Sequence, residues 1–313
     1  MPGGMAESNA VIIGAGAMGG VFGACLAQAG VDATAVDADP GLVEAINDRG
    51  VTLIEGESQR TVRLPATTDV ASLPDPDVVF LFVKCHHTKA AAESVRPRLR
   101  PSTRVVTLQN GWGNADVLAS LLGEDRVVVG VTYTSATTVE PAVIRTSGPA
   151  RTVLGPLAGP DSLADPVASA LEAAGFPVER PQRVLDEIWK KLVLNAATLP
   201  TAALTGLSAG KLASTGDMRW LVDAAAAEAV EVGRAQGFEV ALDERLESIH
   251  SVLDSAGSGK GSMLQDVEAG RRTEIDVISG AVLRRAREHG IDTPVTRALY
   301  ALVSGWETAR EHR

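Results

Sequence analysis

Residues 10–19 read AVIIGAGAMG, and their order decides the fold of the first half of the chain. Ala10 to Ile13 is a short apolar run suited to a buried strand. Gly14, Gly16 and Gly19 follow as a GxGxxG pattern with Ala15, Ala17 and Met18 between them, and a helical stretch then runs from Gly20 to Gln28. A lone glycine pattern is weak, but between a strand and a helix it predicts a dinucleotide site. Gly14 permits the tight turn, Gly16 lets the backbone approach a diphosphate, and Gly19 allows close packing of helix on strand. The diphosphate would rest on the unpaired amides of the helix start. The plainer alternative is a glycine-rich turn with no ligand.

Working outward, the next strand, Ala33 to Asp37, places an acid 23 positions after Gly14, near the spacing of about 20 expected for a residue binding the adenosine ribose. A carboxylate there accepts bonds from the ribose hydroxyls and repels a 2′-phosphate, which favours NAD(H) over NADP(H). The competing reading is that Asp37 or Asp39 only starts the turn at Pro40 and Gly41. Val51 to Ile54 and Thr61 to Leu64 suggest an edge hairpin. Val78 to Val83 is a buried strand ending in Lys84, and Arg104 to Leu108 another ending in Gln109 and Asn110. Ligands of open parallel sheets lie beyond the carboxyl ends of the strands, so Lys84 and Asn110 are candidates for a nucleotide cleft. Val127 to Val139, Ala142 to Thr146 and Thr152 to Leu154 predict an antiparallel extension, followed by a helix over Asp161 to Ala174 and a short strand at Pro177 to Glu179.

Beyond this point strand signals vanish. Asp186 to Leu199 reads DEIWKKLVLNAATL. At about 100° per residue, Ile188, Trp189, Leu192, Val193 and Ala196 make one apolar helix face, while Lys191, Asn195 and Thr198 share a sector of about 60°. That polar stripe either meets water or lines a ligand cavity between two domains. Further helices are predicted over Asp217 to Gln236, Asp243 to Leu253, Ser262 to Glu268 and Glu274 to His289, with Thr293 and Pro294 opening the last. The expected fold is therefore α/β: a Rossmann-like dinucleotide-binding domain over residues 1–182 and an all-helical substrate-binding domain over 183–313.

The totals narrow the function classes. A chain of 313 residues with 45% hydrophobic and 22% charged residues is long enough for two cores. Its formal net charge of −10 argues against nucleic acid and anionic membrane partners. Val11 to Gly30 carries no charge, yet six of those twenty residues are glycine and no Lys or Arg precedes them, unlike a signal or spanning segment. Met1 to Asn9 resembles a disordered tail, and Met5 is a candidate start. Two cysteines, Cys25 and Cys85, suit small core positions and a reducing cytoplasm. Cys85, His86 and His87 evoke a metal site, but adjacent residues point apart and no second cluster exists, so no metal is expected.

Five stretches together carry a family resemblance: GAGAMG at 14–19, VKCHHT at 83–88, QNGWGN at 109–114, IWKKLVLN at 188–195 and SMLQDVEAGRRTEID at 262–276. The chain resembles the ketopantoate reductases (2-dehydropantoate 2-reductases) over nearly its whole length. The resemblance implies reduction of a 2-oxo acid by a nicotinamide cofactor, with Lys191 as general acid. It implies that Glu274 and Ser262 bind the substrate's polar groups, that Asn110 helps place nicotinamide and substrate, and that Lys84 contacts the cofactor. An ammonium suits this task because it neutralises a developing alkoxide and then donates its proton. Two departures stand out. The family commonly carries an arginine after the second strand for the NADP phosphate, where this chain has Ala38 after Asp37. It also places a second asparagine four residues beyond the one matching Asn195, where this chain has Leu199, with Thr198 as a partial replacement.

Three functions follow: reduction of ketopantoate, reduction of a different and more apolar 2-oxo acid or an imine in secondary metabolism, or nucleotide sensing without turnover. Lys191, Asn195, Ser262 and Glu274 together argue against the last, since a pure binder needs no proton donor. The expected partner is a small 2-oxo acid, and a homodimer is left open.

Overall fold

The computed structural model describes residues 9–311; the alternative start at Met5 and all of the expected tail but Asn9 lie outside them, and Asn9 is not tail but the first residue of a strand, paired with Asp32. Two compact units emerge, one made of residues 9–109 and 114–184, the other of 110–113 and 185–311.

In the first unit, β1 (Asn9–Ile13) leads through the glycine turn into α1 (Ala17–Gln28), then β2 (Asp32–Val36), α2 (Pro40–Arg49), β3 (Val51–Glu55), β4 (Ser58–Val62), β5 (Ala66–Thr67) and β6 (Val78–Leu81). There follow α3 (Thr88–Val95), β7 (Arg104–Thr107), α4 (Asn114–Leu122), β8 (Val127–Thr132), β9 (Ala136–Glu140), β10 (Val143–Thr146), β11 (Thr152–Pro156), α5 (Asp165–Ala173) and β12 (Val178–Glu179). Eight strands form the main sheet in the order β12-β11-β8-β7-β6-β1-β2-β5, parallel except where β11 meets β8. Its central strands carry apolar runs on both faces, as strands covered on both sides of a parallel sheet do; Val79, Phe80, Leu81, Val105 and Val106 are all fully buried. Strand order reverses beside β1, which pairs with β2 on one side and β6 on the other. That reversal opens the crevice where such sheets take ligands.

Several boundaries differ from the sequence reading. The hairpin β3–β4 is no edge of the main sheet but joins β10 and β9 in a separate sheet of order β4-β3-β10-β9. The expected long strand over 127–139 is broken accordingly, β8 serving one sheet and β9 the other. The helix over 161–174 begins with a 3-10 turn at Asp161–Ala164, with Pro166 in the first turn of α5.

The second unit is helical: α6 (Val184–Thr205, whose first residue belongs to the first unit), α7 (Ala209–Ser214), α8 (Gly216–Ala235), α9 (Leu242–Ser255), α10 (Ser262–Glu268), α11 (Ser279–His289) and α12 (Pro294–Glu311). Helix α6 extends beyond the stretch read in the sequence, Asp186 to Leu199, and runs on through Pro200. Proline removes a backbone donor, here the one that would meet the Ala196 carbonyl, yet Ala196 itself and Ala202 and Ala203 beyond the proline are buried in the helical core. Tertiary packing outweighs the local break. The helix expected over 274–289 is split: Ile275–Val277 is a 3-10 turn, Ile278 departs from helical angles, and only then does α11 begin. The Val277 carbonyl accepts from the Trp112 amide at 2.7 Å, so the chain turns to meet a partner outside the helix.

Candidate active site

The glycine turn is held from three sides. Gly14 takes φ +93°, and a Cβ there would come within 2.8 Å of the Val83 nitrogen; one on Gly19 would overlap the Gly14 carbonyl oxygen. Those two glycines are required by packing alone. Gly16 differs, since it is exposed and a Cβ there would meet nothing within 4 Å. Its backbone faces open space, as a site for a diphosphate requires. Gly16 precedes α1 with no side-chain cap on the helix amides, which leaves the positive helix end available to an anion. Ala15 is buried, whereas Ala17 and Met18 are partly accessible.

Asp37 follows the end of β2 and has two protein partners. Its Oδ2 accepts from the Ala15 amide at 2.8 Å and its Oδ1 from the Asp39 amide at 3.0 Å. Asp39 in turn caps α2 through the Gly41 amide at 2.9 Å. The turn-forming reading of these acids is therefore real, and it leaves the Asp37 carboxylate acceptor positions to spare, since a carboxylate has about four. Lys84 ends the β6 segment and precedes a 3-10 turn at Cys85–His87. The Gln109 amide bonds the Val83 carbonyl at 2.6 Å and the Thr88 hydroxyl at 2.9 Å, tying the end of β7 to the segment that carries Lys84. The His86 and His87 rings meet edge to face with centroids 4.3 Å apart rather than pointing away from each other. Among the described residues no three His, Cys, Asp or Glu side chains converge to hold a metal ion.

In the second unit α6 presents the predicted stripe. Trp189 is fully buried and donates to the Ala229 carbonyl at 2.9 Å, and a Cβ on Gly233 would overlap its indole. Lys191 and Asn195 lie about 160° and 120° around the helix from Trp189 by the same angular arithmetic. Burial around the Lys191 ammonium lowers its pKa from 10.5 to about 8, the range in which an amine exchanges a proton readily near neutral pH. Asn195 is 7% exposed, and its side-chain Nδ2 is buried with no hydrogen-bond partner. Orphaned buried donors are uncommon and mark places where a ligand group can bind. Thr198 is buried with its proton committed to Leu194, so it can only accept. Leu199 packs in the helical core, with its Cδ2 2.7 Å from where a Gly261 Cβ would stand. Gly261 caps α10, which Ser262 opens. Glu274, 8% exposed, lies at the break before α11, and Asn110 belongs to the four-residue segment that packs with this unit.

The sequence reading missed what holds that segment. Gly111 takes φ +92° and a Cβ on it would overlap the Val277 carbonyl. Trp112 packs with ring centroids 5.2 Å from Trp189 and 5.3 Å from Phe238. The available signal was a tryptophan flanked by glycines directly after Asn110.

A parallel sheet with a glycine turn at its reversal point, followed by a helical unit bearing a half-buried lysine of depressed pKa, defines a nicotinamide-dependent oxidoreductase. Within that class the chain belongs to the ketopantoate reductase PanE/ApbA family: residues 10–159 match its N-terminal part and 183–307 its C-terminal part. It is 32% identical to the 2-dehydropantoate 2-reductase of Halobacterium salinarum, over 94% of this chain and 97% of that protein. The crystal structure of a PanE/ApbA family ketopantoate reductase from Ralstonia eutropha superposes with a TM-score of 0.88 at 32% identity, covering 97% and 100% of the two chains. A D-mandelate dehydrogenase solved with NADH and anilino(oxo)acetate shares the fold, with a TM-score of 0.91 at 24% identity over 97% of this chain and 99% of that one. Among the described residues no helix is long and apolar enough to cross a membrane.

Proposed function

We propose that this chain reduces a 2-oxo acid to the 2-hydroxy acid, with ketopantoate the leading substrate and NADH the preferred donor. The observation that carries this is Lys191, whose ammonium is desolvated to a pKa of about 8 on the helix that also carries the unpartnered Asn195 amide. Gly14, Ala15, Gly16, Ala17, Met18 and Gly19 would hold the diphosphate, Asp37 the ribose, and Lys84 a further part of the dinucleotide. The reduced nicotinamide supplies the hydride. Lys191 neutralises the alkoxide that forms on the substrate oxygen and gives it the proton, becoming a neutral amine that solvent reprotonates. Asn110 positions the reacting groups, while Asn195, Ser262 and Glu274 bind the substrate's polar atoms. A desolvated charge does more for the developing oxyanion than one in bulk water.

One observation supports a second reading. Leu199 is apolar and packs against Gly261, next to Ser262, which favours a more apolar 2-oxo acid than ketopantoate. Steady-state oxidation of NADH and NADPH with ketopantoate, and in parallel with branched and aromatic 2-oxo acids, separates the two. Turnover of ketopantoate supports the first reading. Turnover of apolar acids alone supports the second, and none with any acid despite cofactor binding refutes both. The proposal extends to a homodimer, which light scattering tests, and to a cytoplasmic location, which fractionation of cells producing the protein tests.

A further inference from the structure

Residues 110–113 leave the first unit for four positions and pack with the helical one. The segment is fastened twice. Its backbone lies against the turn after Glu274, where Trp112 donates to Val277 at 2.7 Å and Gly111 leaves room for no side chain. Its indole enters a group of three rings, edge to face with Trp189 and tilted against Phe238, while Trp189 and Phe238 themselves stand 5.3 Å apart. Trp189 is locked to α8 through Ala229 and Gly233, so its position fixes the rotation of α6 and with it the direction of Lys191 and Asn195.

We propose that Trp112 is a positioning residue for the reduction: wedged between Trp189 and the Val277 turn, it sets Asn110, the Lys191 helix and Glu274 in register with one another. The assignment rests on the reading that the chain is a 2-oxo acid reductase. Trp112 touches no reacting atom in this scheme. It acts through Asn110, two residues before it in the motif, and through the two segments it braces.

The test compares Trp112→Ala, Trp112→Phe and the wild type at saturating NADH and varied 2-oxo acid, with kcat expressed per cofactor-binding site titrated on each preparation. Counting binding sites removes any loss of folded protein from the comparison. Misplacement of reacting groups by about 1 Å costs up to about 100-fold, so Trp112→Ala should lose at least about tenfold in kcat per site with its NADH Kd within about twofold of wild type. Trp112→Phe, which keeps a ring against Trp189, should recover to within about threefold. If Trp112→Ala does not accumulate as folded protein, Trp112→Leu keeps the apolar bulk without the ring and should lose at least about fivefold. A kcat per site within twofold of wild type in the Ala or Leu variant overturns the assignment, and so does a Phe variant no better than Ala. Wild-type protein that turns over no 2-oxo acid overturns the underlying reading instead.

Discussion

Lys191 offers the sharpest quantitative test, because its proton is both the one the proposed reduction would use and the one burial has loosened. With a pKa of about 8, about 90% of the ammonium form present at pH 7 falls to about 10% at pH 9. The kcat/KM for reduction reports the free enzyme and should therefore drop about tenfold over that interval, whereas a lysine at its ordinary value would change it by only a few per cent. Oxidation of the 2-hydroxy acid needs the neutral amine and should rise through the same pH. Stability carries a linked signature. Moving the pKa from 10.5 to about 8 corresponds to about 3 kcal/mol, a penalty on the folded state that is fully present below pH 8. The unfolded chain binds the extra proton between pH 8 and 10.5, so the penalty lifts as pH rises through that window. Lys191→Met should abolish most turnover, leave NADH binding nearly intact, and gain up to about 3 kcal/mol at pH 7 by denaturant unfolding. A flat reduction profile from pH 7 to 9, or a Met variant that keeps its turnover, would refute the general-acid assignment.

Other substitutions test the cofactor and substrate sites. Asp37→Arg with Ala38→Arg should raise the kcat/KM ratio of NADPH to NADH, and should cost about 1 kcal/mol because the Ala15 amide loses its acceptor; an unchanged ratio would mean that Asp37 serves the turn alone. Gly16→Ala should fold normally but bind NADH at least tenfold more weakly, while Gly19→Ala, whose Cβ overlaps the Gly14 carbonyl, should lose about 1–3 kcal/mol in thermal or denaturant unfolding. Comparable melting of the two variants would contradict this division of labour. Leu199→Asn should shift selectivity towards ketopantoate and away from branched or aromatic acids, measured as a ratio of kcat/KM values, with no shift excluding this position from the substrate wall.

Much of this was legible before any coordinates. Glycine spacing between an apolar run and a helix reports directly on backbone approach, and Trp189, Lys191 and Asn195 declare their helix faces through a fixed angle per residue. Contacts between residues far apart in the chain were not legible. Nothing local says that Asp37 reaches back to Ala15, that the Val277 carbonyl turns out of a helix to meet Trp112, or that β3 pairs with β10 some 90 positions later. The length of α6 was not legible for the same reason: the local penalty of Pro200 is visible in sequence, and the packing that outweighs it is not.

The excursion of residues 110–113 makes the chain less modular than its two halves suggest. A fragment beginning near residue 185 would lack Trp112 and uncover the face that Trp189 and Phe238 present to it, an aromatic loss that a small helical unit would feel. The same holds for hybrids with relatives. A C-terminal half exchanged between two family members should work only when the donor's own four-residue segment after Gln109 travels with it, so a hybrid joined at the obvious junction carries a mismatched seam.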